Sequence, residues 1–116
     1  MGDYELEVRE VGADGVRVVA LAGDLDLTNA DALERELREL AEDGSGIVLD
    51  LDRVTFVDSA ALHALFRLGR ALHDAGKGYA IALSPTARVA SAVQMARLDE
   101  AVTVTATAED ALAGIS

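Results

Sequence analysis

The chain has 116 residues, 51% hydrophobic but only 3% aromatic, with no Cys, no Trp and a formal net charge of −11. Without Cys there are no disulfides, thiolate metal sites or Cys nucleophile. The acidity argues against phosphate-neutralising contacts to DNA or RNA and against anionic membranes, and the few aromatics leave no base-stacking platform.

The length is that of a single domain, residues 1–116, with Ala, Val and Leu filling the core. No apolar run approaches the roughly 18 residues of a bilayer span. The start, Met1 to Glu5, has neither the basic nor the apolar region of a signal peptide, so a cytoplasmic location is the default expectation.

Tyr4 to Val11 alternates apolar and charged residues and predicts a strand with one wet face. Ala13-Asp14-Gly15 reads as a turn, and Val16 to Ala22 as a more buried strand, so the two form a hairpin. Gly23 to Leu27 reads as a loop. Thr28 then caps a helix with Asp31 as capping-box partner, and Ala30, Leu33, Leu37, Leu40 and Ala41 share its inner face until Gly44. Ile47 to Leu51 suits a central strand, followed by a loop over Asp52 to Asp58 and a helix from Ser59 to Ala75, ended by Gly76. Tyr79 to Leu83 predicts another strand. Ser84 and Pro85 then open a helix reaching Arg97, as cap and first helical residue. Val102 to Thr105 is a last strand, and Ala108 to Ile115 a last helix with Thr107 as its cap. This order predicts an α/β fold: a small mixed sheet, an N-terminal hairpin plus parallel crossovers, flanked by about four helices.

The segment from Ile47 to Leu72 carries the chemistry. It runs strand, loop, then Val57-Asp58-Ser59-Ala60-Ala61-Leu62 into a helix, which sets Ser59 among free backbone N–H groups at the positive end of the macrodipole. A phosphoryl group there would be stabilised locally and would add about −1.5 to −2 charges. On spacing alone Ser59 is first of all a plain N-cap. Leu62, Leu65, Phe66, Gly69 and Leu72 form the helix's inward stripe, while Ser59, His63, Arg67 and Arg70 share an outward face. On so acidic a chain that basic stripe suggests a contact surface, the alternative being a solvated helix face. His63 lies one turn from Ser59, whereas Arg70 is roughly 16 Å along the axis, too far to touch a phosphate.

These residues resemble a known family. Leu21-Ala-Gly-Asp-Leu-Asp26, Ala30, Ile47-Val-Leu-Asp-Leu51, Val54-Thr-Phe-Val-Asp-Ser59 and Leu62 look like the STAS domain of bacterial anti-sigma factor antagonists. Gly76, Tyr79 to Leu83 and Ser84-Pro85 continue the pattern over nearly the whole chain. The resemblance implies a STAS fold and partner switching. The free antagonist binds an anti-sigma factor, which releases a sigma factor. The anti-sigma factor is also a serine kinase, phosphorylates the antagonist and lets go, and a serine phosphatase resets the switch. ATP and Mg²⁺ belong to that kinase, so the chain itself needs no cofactor or metal and has no catalytic residue. By the same resemblance Ser59 matches the phosphoacceptor and Asp58 the acidic residue before it. Asp26 matches the acidic residue of the loop beside the acceptor, which contributes to partner contact. The partner-binding set is then Asp26, Asp58, Ser59, His63 and Arg67.

One departure stands out. The family usually reads Asp-Ser, then Ser or Thr, then Gly-Leu; here Ala60 and Ala61 fill the middle positions. One acceptor hydroxyl remains, and Ala61 adds a methyl group where a kinase loop would approach. That methyl group points to the runner-up, a non-switching STAS scaffold of a stress-signalling or transporter-associated complex. A remote third alternative is enzymatic. Asp50-Leu-Asp52-Arg-Val-Thr55 resembles the first motif of haloacid dehalogenase-type phosphatases, with Asp50 as nucleophile, Asp52 as general acid and Mg²⁺ between carboxylates. Only about 60 residues follow Thr55, short for that larger doubly wound fold. His63 and His73, roughly 15 Å apart on one helix, cannot share a metal.

Overall fold

The computed structural model describes residues 3–11 and 15–115. Among these the elements run β1 (Tyr4–Val11), β2 (Val16–Leu25), α1 (Ala30–Ala41), β3 (Gly46–Val57), α2 (Ser59–Asp74), β4 (Gly78–Ala82), α3 (Ala90–Met95), α4 (Leu98–Ala101), β5 (Thr103–Thr105) and α5 (Ala108–Ile115). The strands lie side by side in chain order in one sheet. β1 pairs antiparallel with β2, and every later neighbour is parallel, as the alternation of strands and helices requires. The β1–β2 pair is the expected hairpin partnership; Ala13 and Asp14 of its expected turn lie outside the described residues.

The period-2 pattern of the central strands is buried on both sides. Val19, Leu21, Ile47, Leu49 and Ile81 face a large core shared with α1, α2, α3 and α4. The alternate residues Val18, Val48, Ala80 and Ala82 face a second core closed by Ala111 of α5. Small Ala side chains on both surfaces let that short helix sit close to the sheet.

Four expectations are corrected. β2 runs on to Leu25 and β3 to Val57, where loops were expected. The two strands keep pairing through Asp24↔Phe56 and Leu25↔Val57, and this nonlocal pairing overrides the polar composition of both segments. The helix expected from Pro85 to Arg97 is only Ala90–Met95, followed by the separate α4. Ala87 N–H donates to the Ser84 carbonyl at 3.0 Å and Ala90 N–H to the Ala87 carbonyl at 3.1 Å, tight three-residue turns in place of helical bonds. Ser84 is no helix cap: its hydroxyl accepts from Thr86 N–H at 3.3 Å in a local turn, while its own N–H is held by the Asp52 carboxylate at 2.7 Å. α3 and α4 are separated at Arg97, which adopts the left-handed conformation, so the described residues hold five helical segments, in keeping with the expected four or so. Thr107, in contrast, caps α5 as expected, accepting from Asp110 N–H at 3.1 Å.

The carboxyl ends of β2 and β3 are where the fold prepares a site. Gly23 has φ +93°, and a Cβ there would stand 2.4 Å from the Asp3 carbonyl oxygen, so only glycine lets the start of β1 cross β2 this closely. Asp24 N–H then bonds that same carbonyl at 3.0 Å, which ties down the chain just before the loop into α1.

Candidate functional site

The start of α2 is built around Asp58. Its backbone is extended, and its side chain accepts from Ala61 N–H at 3.0 Å, so Asp58 and not Ser59 is the N-cap. The second carboxylate oxygen accepts from Leu27 N–H at 3.0 Å, across the gap to the β2–α1 loop. One side chain thus fastens the mouth of α2 to the loop that carries Asp26. Asp58 N–H adds a bond to the Leu25 carbonyl at 3.2 Å.

The loop is stiffened from within. Thr28 is not the expected N-cap of α1; its N–H and hydroxyl both donate to the Asp26 carboxylate, and Asn29 stands at the N-cap position with its side chain turned to the loop. Asn29 is buried; it accepts from Asp26 N–H at 3.0 Å and donates to the Asp24 carbonyl at 2.9 Å. The Thr28 hydroxyl bond is the main reason the Asp26 carboxyl titrates below its ordinary value, so Asp26 stays charged through the neutral range.

Ser59 occupies the first helical position and is exposed. His63 and Arg67 follow on the same exposed face. Leu62, Leu65 and Leu72 are buried as expected, and Ala61, Ala64 and Leu68 belong to that inner stripe too. Ala61 is fully buried, so its methyl group points into the core and not toward an approaching protein.

Arg67 is committed elsewhere. Its guanidinium lies 2.9 Å from Glu34 and 3.9 Å from Asp31, which joins α2 to α1. Glu34 also takes Arg38 at 2.7 Å. The structure therefore brings Asp26, Asp58 and Ser59 together at one end of the sheet, with His63 a turn along, and sets Arg67 in a bridge on the flank.

Sequence reasoning missed two residues here. Leu27 is 78% exposed beside the Asp58 clasp. Arg97 lines a groove together with Ser59. An apolar residue between Asp26 and Thr28 was the available signal for Leu27; Arg97 had none, since its position depends on α3 stopping early. Asp50 and Asp52 do structural work. Asp50 pairs with Arg9 at 2.9 Å and accepts from Asp52 N–H at 3.0 Å, while Asp52 holds Ser84. That geometry gives a nucleophile-and-acid pair no support.

A mixed five-stranded sheet in sequential order, with an Asp-Ser pair at the mouth of the helix after β3, defines a STAS-type α/β domain. The STAS domain pattern matches residues 7–111, and the chain belongs to the STAS domain family. It is 29% identical over 103 residues to the anti-sigma-F factor antagonist RsfB of Mycobacterium tuberculosis, covering 88% of this chain and 83% of that relative. The crystal structure of an anti-sigma factor antagonist from Mycobacterium paratuberculosis is similar at TM-score 0.76 and 28% identity, over 97% of this chain and 94% of that one. A sulfate transporter family protein from Wolinella succinogenes shares the fold at TM-score 0.72 and 23% identity, over 91% of this chain and 88% of that one. No helix among the described residues is long and apolar enough to cross a membrane.

Proposed function

We propose that the chain is an anti-sigma factor antagonist, a cytoplasmic binding protein whose partner is an anti-sigma factor with serine kinase activity. Its docking surface is the end of the sheet where Ser59, the Asp26 loop and exposed Leu27 adjoin, with His63 along α2. Arg67 and Asp58 act on that surface chiefly by holding it together. The observation that carries this reading is the exposed Ser59 hydroxyl one residue after a carboxylate that clasps α2 to the Asp26 loop.

Switching follows from charge. Ser59 Oγ takes the γ-phosphoryl group of the partner's ATP: the Oγ–P bond forms, the bond to ADP breaks, and the hydroxyl proton passes to a base of the kinase. The product carries about −1.5 to −2 additional charges beside Asp26 and Asp58. A partner surface fitted to a neutral hydroxyl would have to bury that dianion or withdraw, and unpaired burial costs several kcal/mol. ATP and Mg²⁺ remain the kinase's, and a serine phosphatase restores the hydroxyl.

The test is incubation with the cognate kinase, ATP and Mg²⁺, read by intact mass and by calorimetric titration. Wild type gains one phosphate and loses affinity by 100-fold or more, roughly the effect of 3 kcal/mol. Ser59→Ala binds like unmodified wild type and gains none. A wild-type chain that binds the kinase without gaining phosphate at Ser59 defeats the switch. That result would favour a second reading, a constitutive STAS scaffold, for which the fold likeness to a sulfate transporter family protein speaks. The burial of Ala61 takes away the steric ground for that alternative.

A further inference from the structure

Ser59 opens onto a groove of about 210 Å³ that runs between α2 and the junction of α3 with α4. Its floor is apolar, with Leu62, Phe66 and Leu98; Ser59 and His63 stand on one side and Arg97 on the other. Arg97 is the one non-glycine residue with positive φ among the described residues, at φ 56° and ψ 34°. Glycine or asparagine suits such a helix-ending position better, so an arginine held there is an outlier that invites a functional account. Its side chain is 77% exposed, and its one ion pair among the described residues is with Glu100 at 3.9 Å, beyond hydrogen-bond distance.

We propose that Arg97 is the internal counter-ion of phosphorylated Ser59, closing across the groove to hold the phosphoryl group. This rests on Ser59 being the phosphoacceptor. The other cations of the α2 face are less suited: Arg67 is bound to Glu34, and Arg70 lies about three turns along the helix. His63 is one turn away, and its imidazole lacks the parallel pair of N–H donors that a guanidinium presents to a phosphate. The acidic groups around the site are Asp58, already used by two backbone amides, Asp26, held by Thr28, and Glu100 on α4. A guanidinium matches a phosphate's oxygens with two parallel hydrogen bonds, and an apolar floor keeps that pair less screened than in open water. Phosphorylation then does two things. It charges the docking surface, and it draws the α3–α4 junction over the groove beside Ser59.

The test bypasses the kinase. Phosphoserine is installed at position 59 by codon suppression, and its second ionisation is followed by ³¹P NMR in wild type, Arg97→Lys and Arg97→Asn. Asparagine tolerates the left-handed backbone, so the fold is kept, and thermal melting checks this. The wild-type phosphate is expected to titrate about half a pH unit or more below that of Arg97→Asn, with Arg97→Lys in between. Equal titration in wild type and Arg97→Asn overturns the counter-ion. Failure of the kinase to modify Ser59 in the separate assay would refute the switch and leave this measurement interpretable.

Discussion

Removing the Asp58 carboxylate should loosen the site and the fold by amounts that can be separated. The side chain accepts two backbone hydrogen bonds, from Ala61 N–H at the start of α2 and from Leu27 N–H in the β2–α1 loop, both at 3.0 Å. Loss of an N-cap costs about 1 kcal/mol. Loss of the exposed charge-assisted bond to Leu27 costs about another 1 kcal/mol, a low value for its class because water reaches the loop. Asp58→Ala should therefore destabilise the chain by about 2 kcal/mol. For a chain of this length that is a fall of about 8 °C in Tm. Asp58→Asn keeps one carbonyl oxygen for the cap and turns an N–H donor toward Leu27 N–H, so it should lose about 1 kcal/mol, or about 4 °C. Urea denaturation gives the stabilities, and amide hydrogen exchange isolates the clasp: exchange at Leu27 should rise in both variants, and at Ala61 chiefly in Asp58→Ala. Unchanged exchange at Leu27 in both variants would refute the clasp. Equal losses from Asn and Ala would refute the division of roles between the two oxygens.

Gly23→Ala combines a left-handed backbone with a Cβ 2.4 Å from the Asp3 carbonyl oxygen, and should cost about 2–4 kcal/mol in urea denaturation. Gly69→Ala sets a helix-propensity gain of about 1 kcal/mol against a Cβ 2.9 Å from the Tyr79 ring. The clash should win, because the Tyr79 hydroxyl anchors the ring to the Leu65 carbonyl at 3.0 Å; in a Tyr79→Leu background the same change should become neutral or stabilising. The two tyrosines should withstand alkali in the folded state. Burial and the bond to Glu36 push Tyr4 up to about 12, and burial pushes Tyr79 higher still. Both groups hold their protons more tightly folded than unfolded, so their stabilising effect is complete below the unfolded pKa of about 10 and fades as pH climbs through the folded values. Absorbance at 295 nm should show little tyrosinate at pH 10.5 in native protein and much in urea; equal signals would contradict this.

The types of most elements were legible in the sequence because periods of two and 3.6 residues are local properties. The alternation in β1, the amphipathic face of α1, the Leu62–Leu72 stripe and the Thr107 cap all needed only neighbours along the chain. So did the placing of Ser59 at the start of α2, and the short blocks around Asp26 and Asp58-Ser59 were enough to suggest the family. What depended on distant partners was decided by the tertiary structure. The ends of β2 and β3 became strand because each completes the other's hydrogen bonds across more than thirty residues. Asp58 became a clasp because the fold brings Leu27 N–H to its free oxygen, and Arg67 a bridge because α1 presents Glu34. Pro85 failed to start a helix because Asp52 holds Ser84 and tight turns follow, and Arg97 came to face Ser59 across a groove that exists only once α3 and α4 pack on α2. A propensity describes a residue among its neighbours, whereas a hydrogen-bond partner or a groove wall is supplied by another part of the chain, and only folding sets the two side by side.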